Sequence, residues 1–308
     1  MTYAFDPQLA AALPRLPALD YTAVEATREL LRTARAARGA FELPPTLTLT
    51  SYLVPVADDD VSVHVFAPVG AVDAPALLWL HGGGFLIGDG LMDADFNAHL
   101  AAELSIVVAS VDYRLAPEHS YPAQLNDAYA ALDWLARCAV DLGVDRGRIA
   151  IGGQSAGAGL AAAVTLAARD RGGPRLVFQC LDIPATDDRR ATPSMLAYDD
   201  TPYWTRDSSA LSWAGYLGTT PIEDAPYAAV ARADDLTGLP PAFVAVCQFD
   251  PLRDEGIDYA QRLAQAGVPT ELHLYPGTFH GSAVVASADV SRRMRADLTA
   301  AVARGLAS

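Results

Sequence analysis

The chain contains no lysine; all 22 of its basic residues are arginine. That absence excludes P-loop phosphate binding, the protein-kinase fold, Schiff-base chemistry and the Ser-x-x-Lys hydrolases, each of which needs an ε-amino group. Basic charge is scarce altogether. Asp and Glu number 37, so the net charge is −15, with an isoelectric point near 4.6. A nucleic-acid partner requires a cationic surface and none is expected here, nor is an anionic membrane. Cysteine is limited to Cys138, Cys180 and Cys247. They are too far apart for a Cys-x-x-Cys site and odd in number for a closed disulfide framework. Each lies in or beside an apolar run, which reads as buried thiols in a reducing, cytoplasmic setting. Met1 to Leu19 lacks the basic start and long apolar run of a signal peptide. The uncharged window Ile149–Ala168 is interrupted by glycines and a glutamine, so it reads as a buried strand and its following helix, not as a membrane span. Neither glycine-rich stretch fits G-x-G-x-x-G, and no zinc-ligand spacing occurs. Neither a cofactor nor a metal is expected.

What is present is a globular composition, 51% hydrophobic and 19% charged. Residues 1–45 hold a helix, with Thr22 and Glu25 at capping-box spacing and Gly39 able to end it. Residues 46–54 and 61–67 read as a hairpin turning at Asp58-Asp59-Asp60. From Ala76 the rhythm changes. Strand-like runs at 76–81, 105–111, 148–153, 175–182, 242–248 and 270–275 alternate with helix-like segments at 91–104, 122–138, 156–170, 254–266 and 284–305. That alternation predicts a mostly parallel sheet covered on both faces, with ligands bound beyond the carboxyl ends of its strands. Residues 184–236 break the rhythm with five prolines and six Tyr or Trp. They read as an insertion which, with the N-terminal helix, caps a site. The expected organisation is N-terminal cap helices at 1–45, core at 46–183, cap insertion at 184–236 and core again at 237–308.

Chemistry points to Gly153-Gln154-Ser155-Ala156-Gly157, a G-x-S-x-G pattern between strand and helix. A serine at such a turn stands at the carboxyl end of its strand, above a helix amino terminus that offers free N–H groups to an oxyanion. A serine hydroxyl needs a base, and the base needs a carboxylate to hold it. In sheets of this kind the order is serine, acid, histidine. Only His273 and His280 follow Ser155. His273 lies inside a strand and His280 beyond the strand's carboxyl end, so His280 is preferred. Asp250, just past the strand at 242–248, is the preferred acid. Asp254 is the alternative, and Asp254 and Glu255 also suit an acidic first helical turn. His81-Gly82-Gly83-Gly84-Phe85 follows another strand. The amides of Gly82 and Gly83, with that of Ala156, suit an oxyanion hole, and His81 reads as a brace for that loop.

Five stretches together resemble the hormone-sensitive lipase branch (bacterial family IV) of the α/β-hydrolase esterases: 81–85, Asp112 to His119, Gly153 to Gly157, Asp250 to Gly256, and His280-Gly281. The resemblance implies an α/β-hydrolase fold, with a mostly parallel eight-stranded sheet flanked by helices and a helical cap. It also implies a serine carboxylesterase for short- to medium-chain esters, with Ser155, Asp250 and His280 as triad. The same resemblance gives the Tyr113–Glu118 run a structural role and leaves room for a homodimer through a terminal strand and helix. Dehydratase, lactonase or amidase chemistry on the same scaffold is the alternative, and a non-catalytic small-molecule receptor the more distant one. The chain departs from the pattern at Gln154, where Asp or Thr is usual, at Ala158, at Ser282 and around Ala229-Val230.

Overall fold

The computed structural model describes residues 3–37, 41–57 and 59–307. Gly39 and Asp58, assigned above to a helix end and a turn, lie outside the described residues. The chain opens with helices α1 (Pro7–Ala12) and α2 (Val24–Ala37) and the hairpin β1 (Leu47–Pro55) and β2 (Asp60–Pro68). An alternating series follows: β3 (Ala74–Leu80), α3 (Ala94–Leu104), β4 (Val107–Asp112), α4 (Ala123–Arg137), β5 (Val144–Gln154), α5 (Ala156–Arg171) and β6 (Phe178–Asp182). Two helices, α6 (Pro193–Ala197) and α7 (Arg206–Leu217), then interrupt the series. It resumes with β7 (Ala242–Phe249), α8 (Arg253–Gln265), β8 (Thr270–Phe279) and α9 (Asp289–Leu306). The eight strands form one sheet in the order β1-β2-β4-β3-β5-β6-β7-β8. β2 runs antiparallel to both β1 and β4; β4, β3, β5, β6, β7 and β8 are mutually parallel.

Strand alternation explains the unbroken apolar runs. In β3, Leu78 and Leu80 join a core with residues of α4, α5 and α8. Leu77 and Trp79 face the other way, into a core with α3 and α9. Both faces are covered, so neither can be polar. Helix α5 is buried from Ala156 to Ala168. Its small residues allow a very close approach, because a Cβ on Gly159 would fall 2.0 Å from the Ala185 carbonyl oxygen.

The N-terminal region differs from the sequence expectation in two respects. Helix α1 was not foreseen, although Asp6-Pro7 carries a start signal: the Asp6 carboxylate accepts from the amides of Gln8 and Leu9. Helix α2 begins at Val24, two residues beyond Thr22. The Thr22 hydroxyl instead donates to Asp20 at 2.6 Å, and Glu25 pairs with Arg28 and Arg32.

Arg28 fastens α2 to the rest of the protein. Its Nε donates to the Leu86 carbonyl and its Nη2 to the Ala116 carbonyl, both at 2.8 Å. The same guanidinium grips both carboxylate oxygens of Glu118. Tyr21 packs with Leu86, Ile87, Ala116, Met195 and Trp204 in a small third core, against which Leu19, Val24 and Leu31 also rest. Replacing Arg28 by Ala leaves two buried carbonyls unpaired, which should lower stability by roughly 1–3 kcal/mol. Urea unfolding checks this. Arg28→Lys should fall close to Arg28→Ala, because a single ammonium cannot span the two carbonyls and the carboxylate.

Candidate active site

Ser155 is the only residue between β5 and α5, and its backbone lies at φ 55°, ψ −118°. A side-chain-bearing residue in that region is strained by about 1–3 kcal/mol and persists only where its surroundings over-determine it. They do so here. The Ser155 amide donates to the Asp182 carbonyl at 2.8 Å. Its own carbonyl accepts from the amides of Ala158, Gly159 and Ala185 at 3.0, 3.0 and 3.1 Å. The flanking glycines are forced by contact. A Cβ on Gly153 would lie 2.5 Å from the Leu80 carbonyl oxygen, and one on Gly157 would lie 2.1 Å from the same atom.

Asp250 follows the last residue of β7 and His280 the last residue of β8. Both strands are parallel to β5 through β6, so all three residues emerge at one edge of the sheet. Ser155 Oγ lies 2.8 Å from His280 Nε2, and His280 Nδ1 lies 2.8 Å from Asp250 Oδ2. The other Asp250 oxygen accepts the Leu252 amide at 2.8 Å, which fixes the carboxylate's orientation. With Nδ1–H donated to Asp250, the Nε2 lone pair is free to accept the serine proton. All three side chains are almost fully buried.

The glycine loop lies against this line. A Cβ on Gly82 would sit 3.6 Å from Ser155 Cβ. Gly83 adopts φ 115°, and a Cβ there would fall 2.0 Å from the Ile87 carbonyl oxygen, so only glycine fits. Ala156 is the first residue of α5, where an amide has no intrahelical partner. His81 is fully buried and stacked on Tyr113, with ring centroids 4.2 Å apart. Its Nδ1 lies 2.7 Å from the Gly82 carbonyl oxygen. Burial pushes its pKa down, which keeps the ring neutral and leaves it braced in the loop. Tyr113 adds a hydrogen bond from its hydroxyl to the His81 carbonyl.

The residues weighed as alternatives are occupied elsewhere. His273 engages Glu271 and Asp297. Asp254 takes the Ser194 amide at 2.7 Å and pairs with Arg253. Glu255 does lie in the acidic first turn of α8, as read from the sequence, but its side chain has a further role. It is buried, its Oε1 accepts from the amides of Thr186 and Asp187, and burial raises its pKa well above the usual range. Among the described residues, no group of three or more His, Cys, Asp or Glu is arranged to hold a metal ion.

Two features escaped the sequence. The indole of Trp204 lies over His280, centroid to centroid 5.5 Å, and edge-on to Tyr21 at 5.0 Å. Its ring also closes over the glycine loop, since a Cβ on Gly84 would meet it at 2.7 Å. The aromatic-rich insertion signalled such a contact without saying which ring makes it. Asp182 ends β6 as a buried carboxylate, and Gln154 Nε2 donates to it at 3.0 Å. Its signal was an acid closing an otherwise uncharged strand.

Burial pushes the Asp182 pKa up from 3.8 to about 6, against the opposing pull of the Gln154 hydrogen bond and of His280. An acid whose folded pKa is raised favours folding at low pH, and this contribution is lost as pH rises through the folded value. The charged form therefore costs roughly 2–3 kcal/mol above pH 7. Asp182→Asn should raise stability by about that amount at pH 8 and by almost nothing at pH 4. Urea unfolding at the two pH values measures the difference.

Comparison with known proteins adds four findings. A family model described as the alpha/beta hydrolase fold matches residues 77–284. Esterase LipI of Mycobacterium tuberculosis is 38% identical over 291 residues, covering 90% of this chain and 88% of its own. Carboxylesterase NlhH from the same species is 39% identical over 283 residues, with the same two coverages. The solved structure of a bacterial heroin esterase superposes with a TM-score of 0.95 at 46% identity, covering 99% of each chain.

Proposed function

The chain belongs to the hormone-sensitive lipase-like branch of the α/β-hydrolase fold family and is a carboxylic ester hydrolase; from that premise we propose that Ser155, His280 and Asp250 are its catalytic triad. Ser155 Oγ attacks the ester carbonyl while His280 Nε2 takes its proton. Asp250 holds the ring and stabilises the imidazolium. The amides of Gly82, Gly83 and Ala156 receive the oxyanion, helped by the amino terminus of α5. His280 then protonates the departing alcohol. It next takes a proton from water, whose oxygen attacks the acyl-enzyme, and returns that proton to Ser155 Oγ as the acid is released. The observation that carries this reading is the unbroken Asp250–His280–Ser155 hydrogen-bonded line ending at a strained serine beside Gly82.

Residues 1–45 and 184–236 act together as the cap. Support comes from the Trp204–Tyr21 contact, from the Arg28 bonds to the glycine loop, and from Ser212, whose hydroxyl donates to the Gly84 carbonyl at 2.8 Å. Trp204 over His280, packed in one cluster with Met195 and Leu252, supports short to medium acyl chains and an apolar substrate. Among the described residues no helix is long and apolar enough to cross a membrane. The three cysteines are unpaired, which suits a reducing, cytoplasmic setting.

Rates on p-nitrophenyl esters from acetate to palmitate test the proposal. Activity should peak at the short chains and fall by roughly a thousandfold or more in Ser155→Ala. A Ser155→Ala enzyme retaining more than a tenth of the rate would remove Ser155 from the mechanism. Trp204→Ala should move the optimum toward longer acyl chains; an unchanged profile would contradict that role for Trp204.

A further inference from the structure

Gln154 stands immediately before Ser155, and the triad makes no use of it. Strands β5 and β6 run parallel with Gln154 registered against Asp182. Asp182 contacts the nucleophile turn twice. Its carboxylate accepts from Gln154 Nε2 at 3.0 Å, and its carbonyl accepts the Ser155 amide at 2.8 Å. The remaining polar atoms of Gln154 face the glycine loop. Its carbonyl oxygen would lie 3.3 Å, and its Oε1 3.5 Å, from a Cβ on Gly82. Gln154 thus bonds to β6 through its amide and lies close beside the loop at the base of the nucleophile.

Residue type matters at both positions. Glutamine can donate to a carboxylate with one end of its amide while presenting oxygen with the other. An aspartate in its place would set two carboxylates against each other beneath the site. Asp182, for its part, is a buried carboxylate at the end of a strand whose other residues are apolar or neutral. A hydrophobic side chain would serve the core there without the desolvation penalty, and penalties of this kind persist where function needs them.

We propose that Gln154 and Asp182 form a positioning pair for ester hydrolysis: Asp182 orients the Gln154 carboxamide, and the carboxamide holds Gly82 at its distance from Ser155. The inference rests on Ser155 being the nucleophile. Neither side chain touches the reacting atoms. Their loss loosens the gap between Ser155 Oγ and the loop amides, in which the oxyanion forms. The turnover step therefore suffers while substrate binding is kept.

Steady-state kinetics on p-nitrophenyl butyrate test the pair with Gln154→Met, which keeps volume, Asp182→Ala, their double variant and Asp182→Asn. Gln154→Met and Asp182→Ala should each lower kcat by roughly ten- to a hundredfold, the scale of a small misplacement of reacting groups, with KM nearly unchanged. The double variant should lose no more than the worse single, because each removes the same interaction. Asp182→Asn keeps an oxygen acceptor for Gln154 and should restore most of the kcat lost in Asp182→Ala. Single variants at wild-type kcat, or losses that multiply in the double, would overturn the pair. If Asp182→Ala does not fold, the contrast between Gln154→Met and Asp182→Asn still decides. Ser155→Ala run in parallel separates the two levels: activity surviving there removes the premise, whereas a silent Ser155→Ala beside an unaffected Gln154→Met removes the pair alone.

Discussion

The left-handed turn at Ser155 is the constraint on which the rest of the site depends. One residue must end a buried strand, reverse the chain and begin a helix, with no linker between them. Such a turn brings the backbones of β3, β5 and α5 into near contact, so Gly153 and Gly157 can carry no side chain. It also needs external support. That support comes from β6 through the Asp182 carbonyl and from the segment after β6 through the Ala185 amide. The strain aims the hydroxyl out of the sheet, and the parallel strands deliver the acid and the histidine to meet it.

The loops beyond the strands are tied to one another more than to solvent. Glu255 is buried beside Asp250 in sequence, and it holds the backbone at Thr186 and Asp187 at the start of the insertion. Ser194 exchanges hydrogen bonds with Asp254 and donates to the Pro251 carbonyl, which locks α6 to the acid's loop. Phe85 of the glycine loop stacks on Tyr216 of α7 with centroids 3.9 Å apart. These contacts tie the loops of the site together, an arrangement suited to holding oxyanion donors in place before substrate arrives.

The central parallel strands were legible because both their faces are buried, so each announces itself as an apolar run. The choice of Ser155, Asp250 and His280 followed from the G-x-S-x-G pattern, the order serine, acid, histidine, and position just past the carboxyl ends of parallel strands. Most of what escaped was set by partners distant in sequence; Thr22 is the exception, having the spacing of a cap but spending its hydroxyl on Asp20 two residues back. Glu255 sits in the first turn of α8 as read, but its burial against Thr186 and Asp187 appears only once the chain that covers it is in place. Trp204 is one of six aromatic rings in its segment, and no local pattern says which one reaches the histidine. Gln154 was visible as a departure from the family pattern, but its partner lies on the next strand and appears only once β5 and β6 are in register.

The most direct test of the account is to trap the nucleophile. The protein would be treated with a p-nitrophenyl phosphonate, digested with trypsin and analysed by mass spectrometry. With no lysine in the chain, trypsin cuts only after arginine, and Ser155 falls in the peptide Ile149–Arg169, which contains no other serine. The account expects one phosphonyl group per chain, on that peptide and at Ser155, with labelling abolished in His280→Ala. Labelling at another residue, or undiminished labelling of Ser155 when His280 is gone, would contradict it.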